Sequence, residues 1–275
     1  MILTHCHLWP EGMTDREDDF GIPGRAEHLS RFAQELGFEK AIGLAPFEVP
    51  EGQSTARISP EENSSRWLAD AIADYDNIVG FASLDPSRPD AAERVGAAKE
   101  LGLVGVKVHP PIFRIVVDDP KHDDFYAAIE RAGMPLMFHT GYGSWPWPLE
   151  DYSVLKVERV AKRFRAMRII VAHCGGAAFC RDVLALLQSN PNCYGDLAMA
   201  LRPEAGWYVP SDELRLIINC VGAGRLVYGV DYPWCTMETV RRDLEIIHEW
   251  ELSVEDERKI LHENAERLIR PVEVG

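Results

Sequence analysis

Short apolar runs alternate with longer stretches of mixed polarity along the whole chain. Several of the short runs, such as Ile78–Leu84, are almost continuously apolar, which is typical of parallel strands covered on both faces. The predicted strands are Ile2–Cys6, Lys40–Ala45, Ile78–Leu84, Val104–His109, Pro135–His139, Arg168–His173, Asn192–Leu197 and Leu226–Asp231.

The stretches between these strands repeat apolar residues at helical spacing. The predicted helices are Arg25–Leu36, Pro60–Asp74, Asp90–Leu101, Asp123–Ala132, Val154–Phe164, Phe179–Gln188, Ser211–Val221, Met237–Trp250 and Ser253–Ile269. Every strand is followed by a helix, and no linker rich in Pro, Gly and Ser interrupts the order. The pattern therefore predicts the α/β class and one (β/α)8 TIM barrel domain over residues 1–275. An open doubly wound sheet is the alternative, but no GxGxxG motif follows the first strand.

The predicted loops are unequal in length at the two ends of the strands. Those after the strands are long, namely Leu8–Gly24, Pro46–Ser59, Pro110–Lys121, Thr140–Asp151 and Ala198–Pro210, whereas those before the strands are short, as at Gly37–Phe38 and Gly133–Met134. Active sites of barrels are built from the loops at the carboxyl ends of the strands. We therefore expect the functional site there.

Composition narrows the class of protein and its partners. The 275 residues are 46% hydrophobic and 27% charged, as in soluble globular proteins. Lys and Arg number 29 against 44 Asp and Glu, a net charge of −15, which argues against a nucleic acid or an anionic membrane as partner. We see no signal peptide and no apolar run long enough to span a membrane. With six cysteines and no CxxC pair, the sequence predicts a cytoplasmic protein with reduced thiols.

Histidines concentrate at the predicted strand ends. Five of the nine lie there: His5, His7, His109, His139 and His173. Asp231 ends the eighth strand, and the two-residue period of a strand puts His5 and His7 on one face. If that face points inward, these side chains converge on a site suited to Zn, Mn or Fe, with one position open for water. The alternative is that each histidine is a hydrogen-bonded core or loop residue.

Ordered motifs at these strand ends resemble those of a known family. The motifs are His5-Cys-His7, Gly105-Val-Lys107-Val-His109-Pro, Phe138-His139-Thr-Gly141, Ala172-His173-Cys-Gly175-Gly176, Tyr228-Gly-Val-Asp231-Tyr-Pro233 and Asn264-Ala-Glu-Arg267-Leu. In this order, over nearly the whole chain, they resemble the amidohydrolase superfamily, in the branch that contains aminocarboxymuconate-semialdehyde decarboxylase and related decarboxylases, hydratases and lactonases.

The resemblance implies roles for individual residues. It makes His5, His7, His139 and Asp231 the ligands of one divalent metal ion, with Zn first and Mn or Fe as alternatives. It places His173 near the substrate, as an acid/base or as a group that polarises a carbonyl. Relatives often carry an acidic residue two positions before the first histidine. That position is Leu3 here, which removes a partner that would orient a ligand.

Lys107 and His109 share one face of the fourth strand. In binuclear relatives a carboxylated lysine from this strand bridges two metals. This branch usually binds one metal, which leaves Lys107 to pair with a substrate carboxylate or a neighbouring acid, or to reach across the barrel to a buried Asp. His109 is then a wall of the pocket or a hydrogen-bond donor to the substrate.

Candidate substrate contacts lie in the long loops. The aromatic candidates are Tyr142, Trp145, Trp147 and Trp234. They indicate an apolar or planar substrate, and packing under a lid or a subunit contact is the alternative. Arg114 and Arg202 could clamp a carboxylate through two hydrogen bonds, although surface ion pairs are the commoner role of loop arginines.

Three functions stay open from the sequence. The first is a metal-dependent hydrolase of a small ester, lactone or amide, in which Asp231 accepts a proton from a metal-activated water and His173 stabilises the oxyanion. The second is a metal-dependent non-oxidative decarboxylase of an aromatic or enoic acid, in which His173 or Asp231 protonates carbon. The third is a non-catalytic binding protein. We expect a small-molecule substrate, such as a carboxylate, and a homodimer.

Overall fold

The computed structural model describes residues 1–11, 24–141, 143 and 146–270. In this part of the chain, nine parallel strands form the main sheet. The strands are β1 (Ile2–His7), β2 (Lys40–Leu44), β5 (Ile78–Ser83), β6 (Gly105–Val108), β7 (Leu136–Phe138), β8 (Ile169–Val171), β9 (Cys193–Asp196), β10 (Leu226–Val227) and β11 (Gly229–Tyr232), while β3 (Phe47–Glu48) and β4 (Arg57–Ile58) form a separate pair. The order of the main sheet is β10-β9-β8-β7-β6-β5-β2-β1-β11.

The eighth strand of the barrel is split at Tyr228. Its first half, β10, pairs with β9, and its second half, β11, pairs with β1, so the sheet nearly closes on itself. At the break, the Tyr228 N–H donates to the carbonyl of Ile260, outside the sheet. The prediction of an α/β TIM barrel with these eight strands is confirmed.

The helices follow the predicted order. They are α1 (Ala26–Glu35), α2 (Ser64–Ile72), α3 (Ala91–Glu100), α4 (Pro110–Phe113), α5 (Asp123–Ala132), α6 (Val154–Arg163), α7 (Gly176–Ser189), α8 (Ser211–Val221), α9 (Met237–His248), α10 (Val254–Arg258) and α11 (Asn264–Ile269). The predicted start of α2 at Pro60 was wrong, because Asn63 caps the helix by accepting from the Arg66 N–H. The last predicted helix is divided by a π-helical turn, Lys259–Glu263. No helix among the described residues is both long and apolar enough to cross a membrane.

The short β3–β4 pair was not predicted, and it shapes the mouth of the barrel. Its Glu48 accepts hydrogen bonds from the backbone and hydroxyl of Ser64 at 2.9 and 3.0 Å, and it forms an ion pair with Arg94. These contacts fix the base of the loop between β3 and β4, and residues 52–56 of that loop line the mouth.

Alternation along the strands separates two layers of core. In β7, Leu136 and Phe138 pack outward towards the helices, whereas Met137 joins an inner cluster with Ile2 and Ile170. The C-terminal helix α11 adds Ala265, Leu268 and Ile269 to this inner cluster. One end of the barrel interior is therefore filled with apolar side chains, and the carboxyl ends of the strands are left for polar groups.

Candidate metal and substrate site

Three side chains converge at the carboxyl ends of the strands. One nitrogen each from His5 and His173 and one oxygen from Asp231 all lie within 4.8 Å of one another, and all three residues are buried. Asp231 Oδ1 is 3.3 Å from His5 Nε2 and 3.4 Å from His7 Nε2. The tertiary structure thus brings together the first, sixth and eighth strand ends, as the motifs predicted.

The same three residues have an unusual backbone conformation. The φ angles of His5, His173 and Asp231 are 61°, 59° and 58°, in the left-handed region that costs a residue with a side chain roughly 1–3 kcal/mol. Such conformations persist only where the surrounding contacts enforce them, and they concentrate at functional sites. These three positions are among seven non-glycine residues with a positive φ in the described part of the chain, and all three lie at the site.

A buried carboxylate that the sequence analysis missed holds His5 in place. Asp196, at the end of β9, accepts a hydrogen bond from His5 Nδ1 at 2.7 Å and another from the Thr4 hydroxyl at 3.2 Å. Gly229 makes room for it, because a Cβ there would lie 2.2 Å from Asp196 Oδ1. The available signal was a single acidic residue inside the otherwise uncharged strand Asn192–Leu197. Asp196 supplies the partner that Leu3, which packs outward in the core, does not.

Hydrogen bonds also fix the tautomers of the histidines. An ionised carboxylate only accepts, so His5 Nδ1 carries the proton and Nε2 keeps its lone pair. His173 Nδ1 donates to the Ala198 carbonyl at 2.9 Å, which leaves the lone pair on Nε2. That Nε2 is 3.3 Å from His139 Nδ1, so His139 donates there and keeps the lone pair on its own Nε2. His5 and His139 therefore carry the lone pair on Nε2, whereas the lone pair of His173 Nε2 accepts the hydrogen bond from His139.

Burial keeps the imidazoles of the site neutral. Desolvation, with a smaller contribution from neighbouring charged groups, lowers the pKa well below the ordinary histidine value in His5, His7, His109, His139 and His173. Neutral imidazole is the form that binds metals. Burial in the pocket therefore favours neutral histidines, which can bind a metal ion, over protonated histidines, which cannot.

Lys107 and His109 are both buried and lie near the site. Lys107 Nζ lies 3.2 Å from His5 Nε2, and burial lowers the pKa of the amine to about 8, although Asp231 and Asp196 oppose that shift. The His109 ring stacks on His139 with centroids 3.9 Å apart and meets Phe47 edge-on. His109 thus lines the wall of the pocket.

The donor set fits a divalent cation. His5 Nε2 and His7 Nε2 lie 3.3 and 3.4 Å from Asp231 Oδ1, and imidazole nitrogens together with a carboxylate oxygen are ligands that zinc, iron and manganese accept. The buried charged groups also favour a bound cation, because the site contains two carboxyl groups, Asp196 and Asp231, and one amine, that of Lys107. Among the described residues, this is the one cluster of metal-ligating side chains.

A large pocket opens above this cluster. Its volume is about 880 Å³, ample for a drug-sized molecule. Aromatic rings line it at Phe47, Trp207 and Trp234, and the exposed Arg114 lies at its edge. Trp234 and Arg114 are therefore placed where the sequence predicted substrate contacts.

The other predicted substrate contacts have different surroundings. Arg202 lies at the pocket, but its guanidinium is bonded to Asp243. The Trp147 indole donates to the Ile115 carbonyl at 3.1 Å and packs against the outer core. Tyr142 and Trp145 lie outside the described residues.

Trp207 is an aromatic wall that the sequence analysis did not select. Its ring centroid is 5.1 Å from that of His173 and 6.1 Å from that of His139. Gly141, with a φ of 85°, allows this approach, because a Cβ there would lie 2.6 Å from Trp207 Cδ1. The signal in the sequence was an aromatic residue in the long loop after the seventh strand.

A family model described as Amidohydrolase matches residues 2–270. The chain belongs to the amidohydrolase family. It is an enzyme of that family. No curated protein matches the amidohydrolase chain.

Solved structures share the fold of this amidohydrolase. A 5-carboxyvanillate decarboxylase from Sphingomonas paucimobilis has a TM-score of 0.69 and 15% identity, with 99% of each chain covered. A dihydroxybenzoic acid decarboxylase from Polaromonas sp. JS666, with bound manganese and the inhibitor 2-nitroresorcinol, has a TM-score of 0.70 and 18% identity over 98% of this chain and 96% of that one. A probable 2-pyrone-4,6-dicarboxylic acid hydrolase from Acinetobacter baumannii, with citric acid bound, has a TM-score of 0.70 and 14% identity over 98% of each chain.

Proposed function

We propose that this amidohydrolase is a metal-dependent non-oxidative decarboxylase of a small aromatic or enoic carboxylic acid. The observation that carries the proposal is the cluster of His5, His173 and Asp231 beneath a pocket walled by aromatic rings, with a guanidinium at its edge. The decarboxylases of similar fold support this reaction over hydrolysis, which the sequence analysis placed first and which is not confirmed.

The proposed cofactor is one divalent ion, Mn²⁺ or Zn²⁺, and manganese in the Polaromonas decarboxylase supports the first. His5, His7, His139 and Asp231 would hold it. Asp196 would orient His5, since it accepts from Nδ1 and turns Nε2 towards the cluster. When bound, the ion would supply positive charge that stabilises the electron pair released by the departing CO₂.

The side chains above the ligands would bind and orient the substrate. Arg114 carries a charge suited to a carboxylate, and the rings of Trp207 and Trp234 offer flat apolar walls that exclude water. Binding between such walls fixes the plane of an aromatic acid, and that orientation is itself a catalytic contribution.

His173 would deliver the proton. In the reaction the bond between the carboxyl carbon and the substrate breaks, CO₂ leaves, and the electron pair stays on the substrate carbon, which takes a proton from protonated His173 Nε2. Burial lowers the pKa of His173 and keeps the ring neutral in the free protein, so in this role the ring would take up the proton in the substrate complex, beside the carboxylate, before donating it. The ring then takes a new proton from solvent before the next turnover.

The test compares decarboxylation with hydrolysis on one preparation. Metal-free protein would be reconstituted with Mn²⁺ or Zn²⁺ and assayed in D₂O with hydroxybenzoic and enoic acids, and in parallel with lactones and esters. We expect metal-dependent release of CO₂ and one deuteron on the product carbon, both lost in His173→Asn. His248→Asn, on the surface, is the matched control.

Other outcomes would overturn the proposal. Hydrolysis of a lactone or ester without CO₂ release would restore the hydrolase function, and absence of both metal binding and turnover would indicate a binding protein. The ligand roles have their own check, since His139→Ala should lose the metal whereas His173→Asn should keep it. The reverse result would exchange these two roles. A cytoplasmic location and a homodimer stay predictions.

A further inference from the structure

Arg202 is a buried arginine whose charge is neutralised within the protein. Its Nε and one terminal nitrogen donate to the Asp243 carboxylate at 3.1 and 2.7 Å. The Tyr228 hydroxyl donates to the same carboxylate at 3.2 Å. Burial would lower the pKa of Arg202, but the hydrogen bond and the charge of Asp243 together raise it. The guanidinium is therefore held charged and in one orientation.

The remaining nitrogen of Arg202 reaches the strand end that carries Asp231. It donates to the Val230 carbonyl at 3.0 Å and to the Trp234 carbonyl at 3.4 Å. These two carbonyls bracket Asp231, and the Trp234 N–H also donates to the Asp231 carbonyl at 2.9 Å. One side chain thus fixes the backbone on both sides of a residue held in the left-handed conformation.

Arg202 also connects this strand end to the preceding loop. The nitrogen that reaches Val230 lies 3.3 Å from Met199 Sδ, and Met199 itself has a φ of 60°. Arg202 and Met199 belong to the loop that follows β9, the strand that ends in Asp196. The strand ends that carry the two buried carboxylates are therefore joined through one guanidinium.

We propose that Arg202 is a positioning residue that holds the backbone of Asp231 so that its carboxylate faces His5 and His7, with Asp243 as the fixed support of the guanidinium. The inference rests on the proposed role of Asp231 as a metal ligand. It replaces the sequence-based expectation that Arg202 clamps a substrate carboxylate, because each of its three guanidinium nitrogens already has a protein partner.

The test removes the buried pair without leaving an unpaired charge. Changing Arg202→Met together with Asp243→Leu replaces both members by apolar groups, a change that often leaves stability intact, whereas removing one member strands a buried charge. The measurement is the Kd for Mn²⁺ on metal-free protein, together with the melting temperature and the kcat and KM of the reconstituted enzyme.

We expect the double variant to fold with a lowered melting temperature, because the buried Tyr228 hydroxyl loses its acceptor. It should bind Mn²⁺ about 10–100-fold more weakly, as when a partner of a metal ligand is lost. Asp243→Asn, which keeps the shape of the support but not its charge, should shift the Kd in the same direction by less. Arg225→Met is the matched control. Arg225 also binds backbone carbonyls, those of Asn190 and Cys193, but at the start of β9, so its loss should leave the Kd unchanged.

Two other outcomes would contradict the positioning role of Arg202. An unchanged Kd for Mn²⁺ in both Asp243→Asn and the double variant overturns the positioning role, and a raised KM beside that unchanged Kd would return Arg202 to substrate binding. If wild-type protein binds no Mn²⁺ or Zn²⁺, the proposed function fails and this inference with it. That result differs from a wild-type protein that binds metal and a variant that binds it equally well.

Discussion

Asp196 Oδ2 lies 2.7 Å from His5 Nδ1, although the two residues are 191 positions apart in the chain. Both are fully buried, and the contact decides which nitrogen of His5 faces the acceptor cluster. Carboxylates in this position raise the basicity of a metal-binding histidine and fix its ring. The contact with Asp196 therefore orients the His5 ring so that its Nε2 faces the cluster.

Asp196→Asn should weaken metal binding while the fold is kept. The amide can turn its NH₂ towards His5 Nδ1, which would favour the tautomer with the proton on Nε2, where a ligand needs the lone pair. We expect the Kd for Mn²⁺ to rise about 10–100-fold, measured by titration of the metal-free protein. Asp118→Asn, which alters an ion pair with Lys156 and Arg159 away from the site, is the control. Equal affinity in both variants would contradict the role of Asp196.

Gly141→Ala should displace Trp207 from the histidines. The new methyl group would lie 2.6 Å from Trp207 Cδ1, so the ring must move. Because orientation of the substrate depends on this wall, we expect kcat/KM to fall about 10–100-fold. Gly222→Ala is the matched control, since Gly222 has nearly the same φ, 84°, but no neighbour within 4 Å of the added Cβ. It should cost about 1–3 kcal/mol of stability, because its ψ of 155° lies outside the left-handed helical region, and it should not affect turnover. Equal losses of activity in the two variants would contradict the role of Trp207 as a wall of the pocket.

Arg114→Gln should raise KM for carboxylate substrates and leave metal binding unchanged. Arg114 is exposed at the pocket, and a charge-assisted hydrogen bond contributes about 1.5–3 kcal/mol, roughly 10–100-fold in affinity. Arg114→Lys keeps the charge but loses the bidentate geometry, so its KM should lie between those of wild type and Arg114→Gln. Arg165→Gln, another exposed arginine, controls for the change in net charge. An unchanged KM in Arg114→Gln would show that the carboxylate binds elsewhere.

Asp231→Asn should alter the pH dependence of stability in the metal-free protein. Burial raises the pKa of Asp231 to about 7, above the ordinary carboxyl value of about 4. Between these values the folded state keeps a proton that the unfolded chain has released, so the stability contributed by this group falls as the pH rises from about 4 to 7. Asp231→Asn has no titrating carboxyl group at this position, so it does not lose stability in this way. Its melting temperature relative to wild type should therefore increase across this window.

Added Mn²⁺ should reverse the difference in melting temperature between Asp231→Asn and wild type at pH 7. The buried histidines also change stability over this pH range, but both proteins contain them, so the difference in melting temperature isolates Asp231. With Mn²⁺ added at pH 7, wild type should be stabilised by binding and the variant much less, because it lacks the charged ligand. Thermal melts from pH 4 to pH 8, with and without Mn²⁺, check both statements. Parallel curves for the two metal-free proteins would contradict the raised pKa.

The barrel fold, and the end of the barrel that carries the site, can be predicted from the sequence alone. Apolar runs covered on both faces and alternating with amphipathic stretches have few stable arrangements other than a barrel or a doubly wound sheet. A residue at the carboxyl end of a parallel strand must lie at the mouth, so His5, His173 and Asp231 could be placed from their positions alone. Helix starts were less certain, as at Asn63, because a cap is a local hydrogen bond that periodicity does not reveal.

Which side chains contact one another depends on the folded chain and could not be predicted from the sequence. Closure of the sheet puts β1 beside β11 and brings Asp196 to His5 across a gap that Gly229 leaves open. The partners of Arg202 and the position of Trp207 depend on how long loops pack over the mouth, and loop sequence carries no period from which such contacts can be calculated. Strand ends are fixed by repeating local geometry, whereas contacts between loops arise from the packing of the whole chain.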